Sequence, residues 1–238
     1  MSIKQSVLRV YNGNPTQGGT FAGTAFFIKP QLLLSAYHVF KVDCPNGAYL
    51  QLPECEIWPV LLSEIEQGKT TYGERDIALI HLPRSFPMYC PPLAARNPAS
   101  GDAVTLWGFF DAQQSLHERY TWISGYVGVQ HAFNMAGSIP RGMSGGAVLF
   151  EGQLIGLIYA RDADKNISYC IPIDAIKEAL NKITDTNSSQ PQRHHITSKT
   201  FKQIKELHEF KDLVAPELIK TYEMRLLDKW FEEYTKYD

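Results

Sequence analysis

The stretch PRGMSGGAVLFEGQLIGLI, residues 140–158, sets Ser144 between Gly142-Met143 and Gly145-Gly146, then runs into two apolar segments around Gly152. Glycine is required where a backbone takes angles barred to other residues or passes close to another group. A serine crowded by glycines is therefore a candidate nucleophile, and the methionine before it is the odd part. Working outward, short apolar runs recur from residue 5 to about 172: SVLRVY, GTAFFI, LLLSAYHV, EIWPVLL, DIALIHL, AVTLWGF, GAVLF and QLIGLIYA. Gly, Pro, Asn and Asp separate them. This spacing predicts strands in an all-β sandwich or barrel.

PIDAIKEALNKI, from Pro172 to Ile183, changes to a helical period, with Ile173, Ile176, Leu180 and Ile183 on one side. Proline at its start fits a helix N-terminus. Residues 184–196 are polar and rich in breakers, as expected of a linker. Residues 197–238 are amphipathic, with a break at Ala215-Pro216 that predicts two helices. The expected organisation is a domain at 1–183, a linker at 184–196 and a helical appendage at 197–238.

The 238 residues are 44% hydrophobic and 20% charged with a net charge of -2, the composition of a globular chain with a large core. No Lys/Arg block argues for nucleic acid, and no apolar run approaches the roughly 20 residues of a membrane helix. The start, MSIKQSVLRVYNGN, lacks the apolar core of a signal peptide. A cytoplasmic location is expected. Cys44, Cys55, Cys90 and Cys170 form no CxxC pair, so they read as free thiols rather than zinc ligands. The sequons at Asn166 and Asn187 are then without meaning.

A serine hydroxyl is a weak nucleophile unless a base takes its proton and a third group orients that base. His38 stands where LLLSAYHVF leaves the core. Asp76 stands at the mouth of the buried run in GERDIALIHL, with Glu74 and Asp43 as competing carboxylates. His81, His117, His131 and His208 read as ordinary surface or packing residues, and His194-His195 as part of the linker.

LLLSAYHVF, RDIALIHLP and GMSGGAVLFEGQLIGLI, in that order, resemble the three active-site segments of chymotrypsin-like (trypsin-fold) serine proteases. The likeness extends from GTAFFIKPQLLLSA to SYCIPIDAIKEAL and covers about residues 5–183. It implies an all-β fold of two six-stranded-type antiparallel β-barrels with a C-terminal helix, here followed by the α-helical appendage. It also implies a His38-Asp76-Ser144 triad that cleaves peptide bonds through an acyl-enzyme, without cofactor or metal. The oxyanion donors would be the backbone N–H groups of Gly142 and Ser144. In secreted members an aspartate before the serine captures a newly made amino terminus. Met143 cannot, so the chain resembles the compact bacterial-type intracellular branch, in which Met143 is an apolar filler.

For the specificity pocket, the resemblance places Ser138 on the floor, Tyr159, Ala160 and Arg161 at the edge and Ser168 near the far wall. Without an acid at Ser138 a preference for Lys or Arg loses its usual cause, although Asp162 or Asp164 could enter from the adjoining loop. Leu218, Ile219, Tyr222, Leu226, Leu227, Trp230, Phe231 and Tyr234 make an apolar stripe on the appendage. Packing on the barrels and docking of a regulatory protein are the two readings of that stripe, and the polar linker favours docking. The architecture suggests a partner-regulated effector in a bacterial defence or signalling assembly. The competing function is a catalytically silent trypsin-fold binding module.

Overall fold

The computed structural model describes residues 2–189 apart from 46, 53–55, 62–63, 72, 111–114 and 128–131. The chain divides into Met1–Ser188 and Ser189–Asp238. The expected appendage at 197–238 and its stripe lie outside the described residues.

Thirteen strands are described. Those of the N-terminal half are β1 (Val7–Asn12), β2 (Thr20–Lys29), β3 (Leu32–Ser35), β4 (Ala48–Gln51), β5 (Ile57–Val60), β6 (Ile65–Thr70) and β7 (Gly73–His81). They form one antiparallel sheet in the order β5-β4-β1-β2-β3-β7-β6. The other half comprises β8 (Ala103–Phe110), β9 (Ser115–Val127), β10 (Ala132–Ala136), β11 (Ala147–Phe150), β12 (Gln153–Asp162) and β13 (Ile167–Pro172). These close into a barrel, β10-β13-β12-β11-β8-β9. The all-β, two-barrel class expected from sequence holds, with one difference. The first half is a curled seven-stranded sheet whose end strands β5 and β6 are unpaired with each other among the described residues.

AFFI, LLL and IALI are apolar at every position because their strands are covered on both faces. Phe26, Leu32, Leu34, Ile77 and Leu79 point into one core cluster, while Phe27, Leu33, Ala78 and Ile80 point into another inside the sheet. The first cluster is shared with the barrel through Trp107, Phe109, Ala147, Leu149 and Leu157, and with the C-terminal helix through Ile173, Ile176 and Leu180. Alternate residues of the barrel strands, such as Leu106, Val148, Ile155 and Ile158, fill the barrel itself. The period of two thus places β2, β3, β7, β11 and β12 between two apolar layers.

Two local boundaries differ from the sequence reading. β3 ends at Ser35, and a short helix, α1 (Tyr37–Lys41), follows, so His38 sits on a helix rather than at a strand end. The C-terminal helix α2 spans Ile173–Ser189, running past Ile183 into the expected linker. Pro172 pairs with Gly156 as the last residue of β13. The sequence after Ile183 is polar but holds neither Gly nor Pro before Pro191, so nothing forces the helix to stop sooner. No described helix is long and apolar enough to cross a membrane.

Candidate active site

Helix α1 starts after Ala36, whose side chain supplies no cap. A carboxylate from the neighbouring strand takes that place. The backbone N–H of His38 donates to Asp76 Oδ1 at 2.7 Å, and the His38 ring nitrogen Nδ1 meets Asp76 Oδ2 at 2.6 Å. Facing a carboxylate, Nδ1 must carry the proton, which leaves Nε2 as the lone-pair nitrogen of the neutral ring. Both oxygens of Asp76 are spent on one residue, so the ring is held in position and in tautomer. Buried Val39 and Phe40 anchor the helix beneath it.

The three carboxylates that the sequence left in competition are separated here. Asp76 holds Nδ1. Glu74 is exposed on the β6–β7 hairpin, opposite Lys69. Asp43, just past α1, places Oδ2 3.8 Å from His38 Nε2. Burial on its own pulls the His38 pKa down, but the hydrogen bond to Asp76 and the charges of Asp76 and Asp43 outweigh it. The pKa lies above the ordinary 6.5.

Ser144 arrives from the other half of the molecule. Its loop is fixed by backbone bonds: Gly145 N–H to Ile158 O at 2.7 Å, Gly146 N–H to Met143 O at 2.9 Å, and Thr24 N–H to Ser144 O at 2.9 Å. Gly145 has φ +85°, and a Cβ there would stand 1.9 Å from Thr24 O and 2.3 Å from Ser35 Oγ. Only glycine fits. Met143, 1% exposed, fills the barrel core beneath the loop. Gly142 takes φ +92°, and among the described residues neither its N–H nor that of Ser144 has a protein acceptor. Two backbone donors are thus left open where Gly142 and Ser144 line a cleft of about 460 Å³.

His38 and Asp43 form one side of that cleft. Residues 139–142, Ser144, Ala160 and Arg161 form the other. Of the five residues expected to shape the specificity pocket, Ala160 and Arg161 line this cleft and Ser138, Tyr159 and Ser168 do not. Ser168 is fully buried, accepting from Ile139 N–H at 2.9 Å and donating to Gly137 O at 2.8 Å. It fixes the course of the chain that becomes the wall. Ser138 N–H donates to Asn166 Oδ1 at 2.8 Å, while its carbonyl accepts from Arg119 at 3.0 Å. Tyr159 turns instead to the two cores and the ring of Tyr169. Asp162 is paired with Lys165 at 3.0 Å, and neither it nor Asp164 lines the cleft.

Thr24 is the site residue that sequence reasoning missed. Fully buried on β2, its hydroxyl donates to Gly142 O at 2.8 Å and accepts from Phe109 N–H at 3.0 Å. Its carbonyl accepts from Ser35 Oγ at 2.6 Å. With its N–H on Ser144 O, one threonine of the sheet clasps both ends of the serine loop of the barrel. The only hint in sequence is the preceding Gly23, where a Cβ would lie 2.8 Å from Val39 Cγ1 and 3.1 Å from Ser144 O.

The other histidines stand elsewhere. His117 bonds Ser115 at 2.8 Å and sits edge-on to Phe110, and His81 lies 3.7 Å from Glu66. His131, His194, His195 and His208 are outside the described residues. Among the described cysteines Cys44, Cys90 and Cys170 are free, and burial pushes their thiols up, Cys44 to about 12. Such thiols are poor nucleophiles. No cluster of three or more metal-ligating side chains occurs among the described residues.

Solved structures share this architecture. A serine endoprotease from Yersinia pestis is similar with a TM-score of 0.62 at 20% identity, over 76% of this chain and 63% of that one. The Rv3671c protease of M. tuberculosis in its active form gives a TM-score of 0.57 at 19% identity, over 76% and 82%. An inactivated protease paralogue from the scabies mite gives 0.60 at 15% identity, over 78% and 97%. The chain therefore spans less than two thirds of the Yersinia protein's chain. No curated protein sequence matches it. Residues 23–157, more than half of the sequence and enclosing His38, Asp76 and Ser144, match the family described as trypsin-like peptidase domain. The chain belongs to that family, the trypsin-like peptidase domains.

Proposed function

We propose that the chain is a serine endopeptidase in which Ser144 attacks the peptide carbonyl while His38 takes its proton at Nε2. His38 then donates that proton to the leaving amine, and the acyl-enzyme is hydrolysed by water activated in the same way. Asp76 orients the ring and stabilises its charged form. The N–H groups of Gly142 and Ser144 meet the oxyanion, a contribution worth about 100- to 1,000-fold per donor. The observation that carries this reading is the pair of hydrogen bonds between His38 and Asp76, with His38 on the same cleft as Ser144 and two open backbone donors. The activity is taken to be cytoplasmic and governed by a protein partner acting through residues 197–238.

A fluorophosphonate probe tests the reading. Wild type is expected to be labelled at Ser144 and the His38→Ala protein not to be. An unlabelled wild type, with and without cell extract, would sink the claim and leave the silent binding module; the scabies mite neighbour is named an inactivated protease paralogue.

A further inference from the structure

The cleft carries a charge asymmetry that the proposed chemistry does not use. Its barrel side bears Arg141 and Arg161, and its sheet side bears Asp43. Arg161 Nη1 donates to Ile139 O at 3.1 Å, which ties the guanidinium to the wall. One bond leaves most of its five N–H groups for another acceptor. Among the described residues neither arginine has a carboxylate within ion-pair reach, and the adjacent acid, Asp162, is taken by Lys165. Asp43, the acid of the cleft, faces His38 instead. The wall beside Ser144 is thus positively charged and uncompensated.

We infer that this wall reads a carboxylate, so that the enzyme cleaves after glutamate or aspartate, with Arg161 and Arg141 binding the side chain of the residue whose carbonyl Ser144 attacks. The inference rests on the catalytic reading above for the direction of the bound chain. A guanidinium matches a carboxylate with two parallel N–H···O bonds, whereas the isosteric amide offers one acceptor oxygen and a repelled NH₂. A lysine or arginine side chain meets like charge. Both arginines are open to solvent, so the preference is expected to weaken with salt.

The test uses the full chain with matched peptides that differ only by Glu or Gln before the cleaved bond. Glu is expected to lead in kcat/KM by about 10- to 100-fold at low salt. Arg161→Gln and Arg141→Gln should each shrink that ratio, and Arg161→Glu should shift preference towards Lys. Binding of the product-like peptides ending in Glu or Gln to the Ser144→Ala protein reports on the wall without needing the chemistry. The same order of affinities supports the inference even if no peptide is cut, a result that would indict the triad alone. Equal affinities and equal rates for Glu and Gln would overturn it while leaving the triad standing.

Discussion

In the N-terminal sheet the cleft is furnished with side chains: His38 and Asp43 come from α1 and its exit, and Asp76 of β7 holds the His38 ring. In the C-terminal barrel the side chains of Arg141, Ser144 and Arg161 are joined by backbone groups, the Gly142 and Ser144 N–H groups held on a loop bonded to β12 and β2. The sheet places its groups by hydrogen bonds to rotatable side chains, so each can be deleted singly. The barrel places its N–H groups by the course of the chain, so they answer to residues that never touch the cleft. Substitutions in the two halves should therefore fail differently.

The largest effect pairs one residue from each half. Ser144→Ala and His38→Ala should each cost roughly 10⁶-fold in kcat, with circular dichroism unchanged, because both side chains end in the cleft. Unequal losses would show that the halves do not act as one unit. Asp76→Asn should cost about 10⁴-fold through the wrong imidazole tautomer. Full activity of Asp76→Asn would move the orienting role to another carboxylate, Asp43 first.

Thr24→Val breaks the comparison most directly, since Thr24 belongs to the sheet but sets the barrel's loop. It keeps the shape and strands Gly142 O and Phe109 N–H, so stability should fall by about 1–3 kcal/mol. If the loop shifts with it, kcat should drop roughly 10- to 100-fold with KM little changed. A loss of melting temperature with kcat intact would make Thr24 a packing residue only. The smallest effect belongs to Asp43→Asn. The base must be neutral, so activity falls as pH drops through the raised pKa of His38. Removing the Asp43 charge lowers that pKa and moves the acid limb to lower pH. A limb that stays in place would show that the 3.8 Å approach carries no charge coupling.

How much of this was legible depends on where apolar residues fall. β2, β3, β7, β8, β11 and β12 announced themselves because both of their faces are covered, so their sequences are continuously apolar. β9 did not. It buries Thr121 and Ile123 and exposes Tyr120, Trp122 and Tyr126, which scrambles the alternation that a half-buried strand normally shows. β6, IEQGKT, is an edge strand with few apolar residues to give it away. His38, Asp76 and Ser144 stand out in sequence through their flanking motifs, and the structure bonds Asp76 to His38 and sets His38 and Ser144 on one cleft. Thr24 was invisible because its work is done by main-chain partners that carry no residue type. Ser138, Tyr159 and Ser168 stand off the described cleft for a related reason: neighbours in sequence to a wall need not line it, and Ser168 serves the wall from behind.

The clasp at Thr24 has a consequence for how the protein is made. The contacts that set Ser144 reach from Thr24 to Ile158, so nearly the whole domain must leave the ribosome before the serine loop can close. His38 and Asp76 emerge long before that, in a sheet whose described strands hydrogen-bond with one another. Domains form N-terminus first during synthesis. A nascent chain therefore lays down the sheet with His38 and Asp76 early and closes the Ser144 loop late, so the cleft between them is assembled only after Ile158 has emerged.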